Sequence, residues 1–240
     1  MRPEVSELNQ FYASRLGQVA RRLIRRRLRA QWPSVAGLNV LGLGYAIPYL
    51  RPFLDEAQRV VAMMPAAQGV RPWPGTGPNL VALAEEAELP LPDATFDRVL
   101  LVHALENAEE LRPMLRECWR VLASGGRMMV VVPNRRGLWA RAETTPFAHG
   151  SPYSMTQVTR LLRDTLFAPI AWQRALYVPP WDWGFALRAA GAIEDLGDRL
   201  FGTFAGVLMV EATKQIYAAT PARSGARARA RPAAIPATES

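Results

Sequence analysis

The chain of 240 residues holds only two histidines, His103 and His149. Imidazoles titrate near neutrality, so each is a candidate proton acceptor. His103 stands in His103-Ala104-Leu105-Glu106-Asn107, directly after the apolar run Arg98–Val102. His149 lies in the loop Pro146-Phe147-Ala148-His149-Gly150-Ser151-Pro152-Tyr153-Ser154, which precedes a helical pattern and can close over a bound molecule. Arg135 and Arg136 follow a second apolar run, Arg127–Val132, and suit an anionic substrate. Trp139, Tyr153, Tyr177 and Trp181 read either as walls of an apolar site or as core. The single cysteine, Cys118, rules out a disulfide framework and a Cys-based zinc site, and points to a reducing compartment.

Strands and helices must place these groups. Apolar runs predict strands at 39–44, 59–63, 79–83, 98–102, 127–132, 168–176 and 204–212. Residues 6–32 carry apolar side chains at helical spacing, with Ser6 as N-cap and Trp32-Pro33 as terminator. Further helices are expected at 108–122, at 154–164 with Ser154 as cap, and at 181–190. Strands alternating with helices imply a parallel sheet with right-handed crossovers. Ligands of such sheets bind beyond the carboxyl ends of the strands. His103, Glu106 and Asn107 after the fourth strand, and Pro133-Asn134 after the fifth, fall on that rim.

Composition sets the outer bounds. Hydrophobic content of 50% with 21% charged residues fits one soluble globular domain with a tail. No stretch approaches the roughly 18–20 apolar residues of a membrane span. Arg21, Arg22, Arg25, Arg26, Arg27 and Arg29 interrupt any apolar core of a signal peptide, so a cytoplasmic location is expected. The net charge of +8 permits contact with nucleic acid or anionic membrane. The Arg-rich helix reads first as a solvated face, because no aromatic platform is interleaved with it. The expected organisation is a basic amphipathic helix over 1–33, a core domain over 34–217, and a disordered Ala/Arg/Pro-rich tail over 218–240.

The segment from Leu89 to Asn134 carries a more specific pattern. Leu89-Pro90-Leu91-Pro92-Asp93-Ala94-Thr95-Phe96-Asp97-Arg98-Val99 is followed by His103-Ala104-Leu105-Glu106-Asn107 and then by Glu117-Cys118-Trp119-Arg120-Val121-Leu122-Ala123-Ser124-Gly125-Gly126. This order resembles class I S-adenosylmethionine (SAM)-dependent methyltransferases, in particular the type 11 subgroup. The resemblance spans roughly residues 38–215. It implies an α/β fold, doubly wound and Rossmann-like, with seven strands of which the last is antiparallel.

The resemblance also implies SAM as cofactor and a small-molecule methyl acceptor. It places the cofactor against Gly42, Gly44, Tyr45, Ala46, Met63, Glu85, Glu86 and His103, and makes His103 and His149 the candidate catalytic residues. This sequence departs from the family's glycine loop at three points. Gly42 stands at the acidic position, and Ala46 and Pro48 stand at the second and third glycines. The acidic residue that holds the ribose is replaced by Ala62, with Met63 and Met64 beside it. Glu85 is placed to accept from the adenine amino group, although Glu85-Glu86-Glu88 reads equally as a solvated acidic run. The departures leave a second reading open, a methyltransferase fold that binds or regulates without catalysis.

Overall fold

Seven apolar strands form a single sheet in the order β3-β2-β1-β4-β5-β7-β6. They are β1 (Asn39–Gly44), β2 (Arg59–Pro65), β3 (Val81–Ala84), β4 (Phe96–Val102), β5 (Leu122–Pro133), β6 (Phe167–Ala175) and β7 (Val207–Lys214). Five neighbours from β3 to β5 run parallel, and β7 is antiparallel to both β5 and β6. This is the Rossmann-like class I methyltransferase topology. The computed structural model describes residues 3–215, so the tail expected over 218–240 lies outside the described residues.

Successive side chains of a strand point to opposite faces, and here both faces are covered. Val40, Leu100, Val102, Met129 and Val131 pack on one side with the N-terminal helices. Leu41, Leu43, Val99, Leu101, Met128 and Val130 pack on the other with the helix between β4 and β5. That double burial is why the central strands are continuously apolar rather than alternating.

The helices are α1 (Val5–Ala13), α2 (Arg15–Gln31), α3 (Ile47–Leu50), α4 (Leu111–Val121), α5 (Met155–Asp164), α6 (Gly184–Arg188) and α7 (Ala190–Leu200). The helix expected over 6–32 is thus two helices. Ser14 is extended (φ −69°, ψ 162°), and its hydroxyl accepts from the Gly17 N–H at 3.1 Å, capping α2. Gly17 permits the elbow, since a Cβ there would lie 2.0 Å from the Phe11 carbonyl oxygen. The first cap is Glu4 rather than Ser6, with the Glu4 N–H donating to Glu7 Oε2 at 3.0 Å. Ser154 caps α5 as expected, in a reciprocal pair with Gln157. The helix expected over 181–190 is shorter, and α7 follows it unpredicted.

The signature-like segment is held by one side chain of α4. Arg120 donates to the Leu89 and Leu91 carbonyls at 2.8 and 2.7 Å and pairs with Glu117 at 2.7 Å. It also reaches Asp93 at 2.5 Å, while Glu117 accepts from the Leu89 N–H at 2.8 Å. Asp97 stands at the amino end of β4, away from the ligand rim, and accepts from the Asn39 N–H at 2.9 Å. The most specific motif in the sequence therefore fastens loop 89–95 to the sheet.

Candidate functional site

The rim begins at the end of β1. Gly44 has φ +78°, and the following Tyr45 N–H donates to the Val102 carbonyl at 2.8 Å. A Cβ on Gly44 would lie 2.4 Å from that carbonyl oxygen and 2.9 Å from Ala104 Cβ. The glycine therefore answers the close approach of β4, and any side chain there would strain the fold before it touched a ligand. Ala46 has φ −84° and Pro48 sits in the first turn of α3, so both replacements of the family's glycines are free of strain. Gly42 has no room for a carboxylate, because a Cβ would meet Leu50 at 2.6 Å and Ala46 at 2.8 Å.

Strand β2 runs two residues beyond the sequence expectation, to Pro65. Ala62 pairs with Gly42 inside the sheet, and Met63 pairs with Leu43. The strand's carboxyl end is thus Met64-Pro65, and it carries no carboxylate. Three residues later Gln68 is buried, and neither of its amide atoms has a hydrogen-bond partner among the described residues. An unpaired buried amide is costly, so a donor and an acceptor stand ready for a ligand with hydroxyl groups. Glu85 is exposed at the end of β3, on a cavity of about 110 Å³ with Pro65, Ala67 and Glu109. Glu86 instead turns inward, and its Oε1 accepts from the Glu109 N–H at 3.0 Å. Glu85 and the buried Gln68 amide both follow the carboxyl ends of their strands, β3 and β2, and Gln68 does not line the small cavity.

His103 follows β4 with φ +51°, a left-handed conformation unusual for a residue with a Cβ. It is fully buried, with Nδ1 3.1 Å from Glu106 Oε1 and Nε2 2.8 Å from the Tyr12 hydroxyl. Tyr12 lies 3.0 Å from the Tyr49 hydroxyl. The carboxylate is best served by a proton on Nδ1, which leaves Nε2 as acceptor for the Tyr12 O–H. A four-membered chain results, Glu106–His103–Tyr12–Tyr49. Glu106 Oε2 is buried without a partner among the described residues. Burial is the largest cause raising the pKa of both tyrosines; Tyr49 and Tyr45 raise Tyr12 further, whereas the hydrogen bond with Tyr12 and the Arg21 charge oppose the rise at Tyr49. Tyr12 stacks on Tyr45 at 5.7 Å, and burial pushes the Tyr45 pKa up to about 12.

Helix α1 therefore roofs the histidine. Phe147 completes the enclosure, its ring centroid 4.8 Å from that of His103 and 6.1 Å from Phe11. His149 lies elsewhere, half-buried on a cleft of about 330 Å³ with Glu7, Phe11 and Thr145. It makes no side-chain hydrogen bond among the described residues, and the two candidate histidines do not form one constellation. Trp139 is core, its indole donating to the Val178 carbonyl at 2.7 Å, while Arg135 and Arg136 are exposed. Tyr12, Tyr49 and Gln68 escaped sequence reasoning. Tyr12 reads as one more apolar position of a helix, 91 residues from its partner.

Residues 41–130 match the family described as a methyltransferase domain, of type 11. Over that stretch the chain is similar to class I methyltransferases. A probable S-adenosylmethionine-dependent methyltransferase of Mycobacterium tuberculosis is 38% identical over 93 residues, which is 38% of this chain and 34% of that protein. The match thus spans about a third of the curated relative's length. Among solved structures, a SAM-dependent methyltransferase of Thermotoga maritima, a possible histamine N-methyltransferase, superposes with a TM-score of 0.60. It is 16% identical, and the match covers 88% of this chain and 96% of that one. The 1,6-didemethyltoxoflavin-N1-methyltransferase of Burkholderia thailandensis, solved with S-adenosylhomocysteine, gives 0.53 at 18% identity over 85% and 79% of the two chains. Identities this low establish the shared fold alone.

Proposed function

We propose that this chain transfers a methyl group from SAM to a small molecule through an oxygen nucleophile, with the Glu106–His103 pair as proton acceptor. The observation that carries the reading is the Tyr12 hydroxyl on His103 Nε2 at 2.8 Å. A phenol held there marks the place where an acceptor hydroxyl would give up its proton. SAM, when bound, supplies a methyl group on a sulfonium centre. Gln68 would hold the ribose, Glu85 the adenine amino group, and the Tyr45–Ala46 turn the amino-acid end.

The chain's own residues do the rest. Glu106 fixes the Nδ1–H tautomer and stabilises the imidazolium that forms when Nε2 takes a proton. Phe147 and Tyr45 keep water from the imidazole. An acceptor reaches Nε2 only when Tyr12 withdraws, so α1 must swing about the Ser14 elbow. His149, on the cleft beneath α1, is placed to meet the acceptor's distal part.

The second reading, a methyltransferase fold without catalysis, draws on the same roof and on the missing β2 carboxylate. Calorimetry separates the two. Saturable binding of SAM or S-adenosylhomocysteine, weakened roughly tenfold by Gln68→Ala, is the expected result. No heat at millimolar cofactor would sink the enzyme reading. Unchanged affinity in Gln68→Ala would move the ribose site elsewhere.

A further inference from the structure

The Arg-rich helix and the unpredicted region after β6 meet on the outside of the sheet. Helices α2 and α6 border a groove of about 730 Å³. Arg15, Arg21, Arg22, Arg25, Arg26 and Arg29 line it from α2, and Arg188 lines it from α6. Three of these seven are partnered: Arg15 with Asp182 at 3.8 Å, Arg29 with Glu56 at 2.8 Å, and Arg26 with Asp195. Arg21, Arg22, Arg25 and Arg188 make no ion pair among the described residues. The groove is strongly cationic and open to solvent.

Beside it stands an uncovered apolar patch. Trp181, Trp183 and Phe185 stack in a ladder, with ring centroids 5.1 and 6.0 Å apart and planes inclined by 29° and 16°. Phe185 is 67% exposed. Leu196 and Leu200, one turn apart on α7, are exposed too, as are Phe201 and Phe204. Among the described residues, seven of the twelve large exposed apolar side chains thus fall within residues 181–204. A concentration of this kind marks an interaction surface rather than scatter. The two features adjoin: Asp182 pairs with Arg15, Gly184 lies against the Arg15 guanidinium, and Leu187 lines the groove itself.

We infer that this face docks on an anionic phospholipid bilayer, with the arginines among the headgroup phosphates and the Trp/Phe/Leu patch in the interfacial layer. Arginine paired with Trp, Phe and Leu on one face is the composition of an interfacial membrane site. Nucleic acid fits less well. The inner faces of the ladder stack on one another, leaving few rings for bases, and the leucines have no use there. A second copy of the chain fits less well again, because a two-fold contact would set arginine against arginine.

Co-sedimentation of the full chain with phosphatidylcholine vesicles, with and without phosphatidylglycerol, tests the inference. Binding should require the anionic lipid, weaken with added salt, and shift tryptophan emission to the blue. Arg22→Ala/Arg25→Ala should weaken it about thirtyfold, and Phe185→Ser should weaken it and reduce the blue shift, both with unchanged far-ultraviolet circular dichroism. The basic 218–240 segment is common to every variant, so differences between variants report the groove and patch. Equal binding to neutral vesicles, or full binding by both variants, overturns the inference. So does binding of a single-stranded oligonucleotide where vesicles are ignored, or a dimer that Phe185→Ser dissociates.

Discussion

At the scale of residues, the buried polar chain depends on a single hydroxyl. Tyr12 bridges His103 and Tyr49, and its loss leaves two buried polar atoms without their partner. Tyr12→Phe should cost about 1 kcal/mol of stability, read from urea denaturation. The tautomer is separately measurable. Nitrogen-15 spectra should place the His103 proton on Nδ1 in the wild type. Glu106→Gln, which can no longer receive that proton as an anion, should shift the population towards Nε2–H. A spectrum indifferent to Glu106→Gln would remove Glu106 from the role of orienting group. Positive φ at His103 adds to the case, since a strained backbone persists where its surroundings hold it.

At the scale of elements, α4 carries the loop 89–95 through Arg120 and Glu117. Hydrogen bonding to Arg120, the largest cause, lowers the Glu117 pKa below its ordinary 4.5, and the Leu89 N–H and the Arg120 charge act the same way against desolvation. A carboxylate depressed in the folded state contributes stability that is complete above its unfolded pKa and is lost as pH falls below it. Thermal melts of wild type and Glu117→Gln should therefore differ most near neutrality and converge in acid, below about pH 4.5. A gap that stays constant with pH would mean the pair contributes packing alone.

The same elements show what the sequence can and cannot tell. All seven strands were legible, the central ones because both faces are buried and their apolar runs are unbroken, while the edge strands β3 and β6 are partly exposed. The Ser154 cap was legible because its hydroxyl and Gln157 act within one turn. The break at Ser14 was not, since the apolar spacing continues through it and only Gly17's contact with Phe11 betrays the elbow. The end of β2 was read two residues short, as Met64-Pro65 resembles the start of a loop. Of the candidate site, His103 was legible from its place after β4, whereas Tyr12 and Gln68 reach the rim only through tertiary packing.

At the scale of the whole molecule, tyrosine burial couples the core to alkaline pH. Tyr12, Tyr45, Tyr49, Tyr153 and Tyr177 all have pKa values raised above the ordinary 10, with burial the largest cause in each. Tyr45 and Tyr153 are pushed up to about 12. A group raised in the folded state gives stability that is full below its unfolded pKa and is lost as pH climbs towards its folded one. The protein should thus weaken progressively above about pH 10, and near pH 11 these five phenols should stay un-ionised while the fold persists. Near-ultraviolet tyrosinate absorbance beside circular dichroism reads both. Early ionisation of most of these rings in a native fold would contradict their burial.

The boundary of the matched family region has a practical consequence. It begins at residue 41, so it includes His103, Glu106 and Tyr49 and excludes Tyr12. A fragment begun at residue 41 and otherwise intact would keep its recognisable motifs and yet uncap its own histidine, exposing Tyr45, Tyr49 and Phe147 to water. Such a fragment should be sticky, and its imidazole should react with alkylating or acylating reagents that the intact chain resists. Enzymologists comparing trimmed homologues would then be measuring a more open molecule than the one this sequence encodes.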